Sequence, residues 1–238
     1  MRHLADRLRA IPGVAAVTLV GSRDFRLYYR GEIRVDDVRG LGFEGTVAEP
    51  GEWGRLANGG ARLAVEGEQV DLLYRDLDFV RHAIDEAEVG RYEVDQVEGY
   101  LAGMASYVLV GELALAEVLA GELPRPGFPR ALRDTAPRGW RASAAFSLAV
   151  ADTAAEHHDI VSCAGLLAKA AIEAAQAALA EKGEWALNEK GIVRRAELGA
   201  RVEAILAAPG DRAFELARAV TAMRAALGIA REHKAVGP

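Results

Sequence analysis

The chain has 238 residues, of which 51% are hydrophobic, enough for a sizeable core in one large domain or two modest ones. The net charge of −6 gives no broad basic surface, so a polynucleotide substrate is not expected. The single cysteine, Cys163, cannot form an intrachain disulfide, and we find neither a signal peptide nor an uninterrupted apolar run of bilayer length. These features predict a cytoplasmic protein without a membrane partner.

The chain opens with an amphipathic pattern followed by a buried strand. Leu4, Leu8 and Ile11 recur at helical spacing, and Pro12-Gly13 ends that helix. The next stretch, residues 14–20, is apolar on both faces except at Thr18, which is typical of a central strand covered on both sides.

The end of this strand carries small and acidic residues. Gly21, Ser22, Arg23 and Asp24 separate it from a second apolar run at residues 27–29, a connection short enough for a tight hairpin. The shared end of the two strands could therefore present small and acidic groups to a ligand. A plain hairpin with no ligand is the simpler interpretation.

A second hairpin is predicted from residues 61–65 and 70–74, joined by a turn at Glu66-Gly67. Asp71 is the one acid in an apolar segment, and an unpaired carboxylate is costly to bury. We therefore expect Asp71 to have a partner, and a metal ion shared with Asp24 is the most economical one. Asp76 and Asp78 begin a helix, where acids act as caps rather than metal ligands.

Composition changes near residues 90–96, which we take as a domain boundary. The prediction is an α+β protein with a mixed-sheet domain at residues 1–95 and an antiparallel helical bundle at residues 96–238. Four segments of the second part keep a helical period of apolar residues: 101–118, 140–155, 160–178 and 214–227.

Several motifs together resemble the bacterial nucleotidyltransferase-domain proteins of the polymerase-beta superfamily, in particular the two-domain type of the kanamycin nucleotidyltransferases. The resemblance covers roughly residues 12–198 and rests on Gly21-Ser22, the acid before Leu27-Tyr28-Tyr29, and the segments 51–60, 70–78 and 187–191. The family pattern is Gly-Ser, a loop, Asp-x-Asp and a later third Asp. Asp24 matches the second Asp and Asp71 the third, whereas Ser22 takes the place of the first and the loop is absent.

The resemblance implies a Mg²⁺-dependent transfer of a nucleoside monophosphate from an NTP to a hydroxyl of a small molecule or protein. Asp24 and Asp71 would hold the metal, and Gly21 and Ser22 the phosphates. It also implies that Asn188 and Lys190 contact the phosphates or the acceptor. Alternatively, Asn188 caps a short helix over residues 189–198 and Lys190 is solvated.

Because the first Asp and its loop are missing, a second function class stays open. The chain would then be a catalytically impaired nucleotidyltransferase fold that binds a nucleotide or a protein partner. Activity would require a further oxygen ligand from Asp36, Asp37 or a glutamate of the helical domain. The general base is unassigned, with Glu173 as a candidate, and a homodimer is left open.

Overall fold

The computed structural model describes residues 2–21 and 23–230 and divides the chain into two compact units. The first unit contains residues 1–99 and 103–128, and the second contains residues 100–102 and 129–238. The sequence places the boundary at residue 95, whereas here the first unit continues to Phe128, because the strand at residues 117–121 belongs to its sheet.

The first unit is α+β. Its elements are α1 (Arg2–Arg9), β1 (Val14–Val20), β2 (Asp24–Tyr29), α2 (Val35–Arg39), β3 (Glu44–Val47), β4 (Gly60–Val65), β5 (Glu68–Asp76), α3 (Leu77–Glu88), β6 (Val94–Asp95), β7 (Met104–Ala105), α4 (Val108–Leu115) and β8 (Glu117–Gly121). Six strands form a mixed sheet in the order β3-β4-β5-β2-β1-β8. The neighbours β2 and β5 are parallel, and the other neighbouring pairs are antiparallel. Strands β6 and β7 form a separate two-stranded ladder.

One face of the sheet is apolar and the other is polar. Alternation along β2 and β5 sends Phe25, Leu27, Leu72 and Tyr74 into a core shared with α1. The opposite face carries Arg26 and other polar residues. Both predicted hairpins are present, and Asp76 accepts a hydrogen bond from the Asp78 backbone N–H (2.9 Å), so it caps α3 as predicted.

The second unit is helical and contains α5 (Arg130–Glu156), α6 (Ile160–Lys182), α7 (Ile192–Arg195), α8 (Gly199–Ala207) and α9 (Ala213–Leu227). Alanine-rich faces of α5 and α6 pack together, and Cys163 and Leu167 of α6 are fully buried in this core. Among the described residues, one helix, α6, is long and apolar enough to cross a membrane, and half of that stretch is buried.

The predicted helix over residues 101–118 is wrong. That region contains β7, the short helix α4 and the strand β8, which pairs with β1. Nearly every residue of α4 is buried, so its apolar positions do not define one face. A helical period drawn through such a segment carries no information about where the helix begins and ends.

Candidate functional site

Asp24 and Asp71 are direct neighbours on the parallel strands β2 and β5. Residues paired in this register have side chains on the same face of the sheet, so both carboxylates lie on the polar face, at its rim. The turn after β1 brings Asp24 to this point, and the backbone N–H of Asp71 donates to the Arg23 carbonyl (3.2 Å). The structure therefore brings together the two acids that the sequence assigns to one metal.

Asp71 is not buried, contrary to the expectation from its apolar neighbours. The side chain is 54% exposed, since Val70 and Leu72 point to the opposite face of a strand that is covered on one side only here. Its nearest cation is Arg62 on β4, with Nε 3.7 Å from Oδ1. Burial therefore does not force Asp71 to bind a metal, although solvent and ligands can reach it.

Gly21 has φ +73°, a left-handed conformation that favours glycine, and it leaves the backbone open beside Asp24. A β-carbon at this position would lie 3.9 Å from Oδ2 of Asp24, which places that carboxylate over the turn. Ser22, the other predicted phosphate ligand, lies outside the described residues. Arg23 closes the turn through an ion pair to Glu68 (2.6 Å).

A buried ionic cluster lies behind the acid pair and was missed by the sequence analysis. Glu112 of α4 accepts hydrogen bonds from Nε of Arg26 (2.7 Å) and from Nε and Nη2 of Arg75 (2.6 and 2.9 Å). Arg26 is two residues from Asp24 on the same face, a distance of about 7 Å along the strand. Helix α4 therefore covers the polar face behind the rim. All three side chains are at least nine-tenths buried.

Burial alone would raise the pKa of Glu112, but the charges of Arg26 and Arg75 outweigh it and lower that pKa to about 2. The cluster carries one negative and two positive charges, so it leaves a net positive charge behind the acid pair. An acid within the apolar run of residues 108–115, together with arginines inside two apolar strands, is the sequence signal that could have revealed it.

Two neighbouring carboxylates could supply ligands for one magnesium ion but not for two. Mg²⁺ is commonly held by one or two carboxylates with waters and substrate phosphates, whereas a two-metal centre needs further oxygen ligands. Within residues 2–21 and 23–230, no group of three or more metal-ligating side chains is present. Asp36 and Asp37 therefore do not complete a triad, and Asp36 pairs instead with Arg39 (3.0 Å).

Asn188 and Lys190 belong to the second unit, where both are exposed. The Asn188 side chain accepts a hydrogen bond from the Lys190 backbone N–H (2.9 Å), which closes a local turn. The expected helix over residues 189–198 is shorter than predicted: α7 spans Ile192–Arg195 and its N-cap is Gly191, so Asn188 caps no helix.

Glu189, which lies between Asn188 and Lys190, makes hydrogen bonds to a segment distant in the chain. Its carboxylate accepts the backbone N–H groups of Leu101 (2.7 Å) and Ala102 (2.8 Å), while the Tyr100 hydroxyl donates to the Leu187 carbonyl (3.1 Å). All of these residues belong to the second unit. The segment Leu187–Gly191 thus holds residues 100–102 against the helical unit.

We expect Glu189→Gln to loosen residues 100–102, because an amide offers one acceptor oxygen where the carboxylate offers two. Hydrogen bonds to charged groups contribute about 1.5–3 kcal/mol. Exchange of the Leu101 and Ala102 amide hydrogens should therefore accelerate at least tenfold. Glu184→Gln, at an exposed position of the same unit, is the control and should leave exchange of these amides unchanged.

Glu173, the candidate general base, is buried on α6, and its Oε2 accepts a hydrogen bond from the Ser147 hydroxyl (2.7 Å). Burial raises the pKa of this carboxyl, and Ser147 and Lys169 oppose the rise. Ser147, Lys169 and Glu173 lie in the second unit, so Glu173 is a buried hydrogen-bonded group of the helical core.

Comparison with known proteins gives one similar structure. No family model matches the chain, and neither does any curated protein sequence. Among solved structures, the chain is similar to a nucleotidyltransferase-like protein from Exiguobacterium sibiricum, with a TM-score of 0.47 and 11% sequence identity. The alignment covers 95% of this chain and 73% of the other.

Proposed function

We propose that the rim carrying Asp24 and Asp71 binds a nucleoside triphosphate through one Mg²⁺, and that the chain is a nucleotidyltransferase-fold protein whose main activity is binding. The observation that carries this proposal is the direct pairing of the two acids on adjacent parallel strands. Two neighbouring carboxylates repel each other in the absence of a cation, and a divalent ion removes that cost.

The ion, when bound, would neutralise phosphate charge at the rim. Asp24 and Asp71 would hold it, and the open backbone at Gly21 would allow a phosphate to approach closely. Arg62, which is 74% exposed and only loosely paired with Asp71, is available to a phosphate oxygen. The face behind the rim is filled by the Arg26–Glu112–Arg75 cluster, so the nucleotide would occupy the rim alone.

Nucleotidyl transfer is the second candidate, favoured by the exposure of Asp24 and Asp71, since an acceptor in solution can reach both. In that reaction an acceptor hydroxyl attacks the α-phosphorus of the NTP and pyrophosphate leaves. Two carboxylates provide fewer metal ligands than a two-metal mechanism uses, so we expect turnover to be slow.

Titration calorimetry with Mg-ATP and Mg-GTP tests binding, and a pyrophosphate-release assay tests transfer. We expect binding that depends on Mg²⁺ and weakens about tenfold in Asp24→Asn and in Asp71→Asn, which corresponds to the loss of roughly 1.4 kcal/mol. Asp85→Asn, an exposed change on α3, is the matched control. Absence of binding to both nucleotides would contradict the proposal, and pyrophosphate release with either nucleotide would favour the second candidate.

A further inference from the structure

A hollow in the first unit is separate from the acid pair. Its volume is about 380 Å³, and one wall is a stripe of α3 formed by Phe79, His82, Ala83 and Glu86. These positions follow the spacing of one helix face. Residues 90–93, Arg55 and Ser106 form the rest of the lining.

The hollow lies at the other end of the sheet from Asp71. Helix α3 begins directly after β5, and Asp76 lies five positions after Asp71 on that strand, a distance of about 17 Å. A ligand bound on α3 would therefore not contact the rim, and the two sites can be tested independently.

Two aromatic rings provide apolar surface in the hollow. Phe79 is half-buried, and the guanidinium of Arg55 lies 5.6 Å from its ring centre. The Tyr92 ring packs edge-on against Tyr107, with ring centres 5.2 Å apart, which fixes its orientation. Burial raises the pKa of Tyr92 to about 12.

The charged lining groups are paired, with one exception. Arg91 makes two hydrogen bonds to Glu86, both 2.7 Å, and Arg55 pairs with Glu93 at 2.5 Å. His82 makes no hydrogen bond or ion pair with any other part of the chain that the structure describes. Glu86, four residues further along α3, interacts with the imidazole electrostatically only, so the ring nitrogens can still form a hydrogen bond to a ligand.

We infer that this hollow binds a small planar aromatic carboxylate, whose ring contacts Phe79 and Tyr92 and whose carboxylate accepts a hydrogen bond from His82. The volume lies near the lower end of the range for small-molecule sites, which suits a molecule of one or two rings. Flat rings stack on aromatic side chains, and a carboxylate supplies the hydrogen-bond acceptor that the imidazole N–H lacks.

Ligand-observed NMR and calorimetry with benzoate and 2-naphthoate test this inference on the full chain. We expect 2-naphthoate to bind more tightly than benzoate, and both to bind more tightly than cyclohexanecarboxylate, which is not planar, and benzamide, which has no charge. Equal binding of all four compounds, or none by the carboxylates at millimolar concentration, would overturn the inference.

Variants locate the binding. His82→Ala should weaken 2-naphthoate at least fivefold with little effect on benzamide, and Phe79→Leu should weaken both aromatic compounds while keeping the apolar packing of α3. Arg81→Ala, the neighbouring exposed position that lies outside the hollow, is the control. If His82→Ala and Phe79→Leu both bind 2-naphthoate as tightly as the unmodified chain, the ligand lies elsewhere and the assignment is wrong.

Discussion

Glu112→Gln should destabilise the first unit by about 3–5 kcal/mol, the usual cost of removing one partner from a buried ion pair. The carboxylate accepts three hydrogen bonds from Arg26 and Arg75, and both guanidinium groups would stay buried without a counter-charge. Hydrogen exchange of β2 and β5 amides, followed by mass spectrometry, reports this unit separately from the helical one.

Two further variants test whether the loss of stability comes from the buried charges. Glu117→Gln, an exposed change on β8, should alter the unfolding free energy of the unit by less than about 0.5 kcal/mol. The triple variant Arg26→Met, Glu112→Leu, Arg75→Met should recover most of the loss, because apolar residues of similar volume avoid the desolvation penalty of buried charges. If Glu112→Gln were as stable as Glu117→Gln, the three charges would not form a buried cluster.

The same cluster predicts an acid sensitivity. The pKa of Glu112 is lower in the folded unit than in the unfolded chain, so its contribution to stability is fully present above the unfolded pKa and is lost as pH falls towards 2. The first unit should therefore lose stability progressively below about pH 4.5, and the triple variant should lose less across this range. Urea unfolding at several pH values measures the difference.

Local patterns predict the strands and hairpins of this fold well. The run of residues 14–20, the turn at Glu66-Gly67 and the acids that start α3 are each determined by a few neighbouring residues. The sequence also assigns Asp24 and Asp71 to one site, and they pair in register although Asp24 begins β2 and Asp71 is the fourth residue of β5. What the pattern could not provide was the exposure of Asp71, which depends on how far the neighbouring elements extend over the sheet.

The region between residues 100 and 128 is where sequence reasoning fails, for a physical reason. Most residues of helix α4 are buried and β8 pairs with β1, which is distant in the chain, so neither element shows its own periodicity. The same region supplies Glu112 and the segment held by Glu189. Contacts between residues distant in the chain therefore determine which helix covers the polar face of the sheet. They also determine which segment is held by residues 187–191.

The positions of the buried cluster and of helix α4 limit the reactions that the rim can support. A cluster of net positive charge lies under the acids, and helix α4 fills the face on which a nucleotide would otherwise spread. One magnesium ion with its phosphates needs only the exposed edge, whereas positioning an acceptor for in-line attack needs further groups around it. The geometry therefore supports the proposed binding of a nucleotide more than it supports rapid transfer.

Gly60→Ala should destabilise the first unit by about 3 kcal/mol, at the upper end of the cost of overpacking. Gly60 begins β4, and an added β-carbon would overlap the backbone carbonyl oxygen of Leu72 and lie 2.9 Å from the Trp53 ring. This close approach explains the glycine at the start of the strand and shows that the Trp53 ring packs against it.

Because the obstructing atom belongs to the central strand β5, it cannot move aside as a flexible side chain would. Urea unfolding followed by exchange of β4 and β5 amides should show the loss, and Gly127→Ala, where a β-carbon meets nothing within 4 Å, should show none. Equal stability of the two variants would mean that β4 and β5 can separate at Gly60. In that case the register that places Arg62 beside Asp71 would be in question as well.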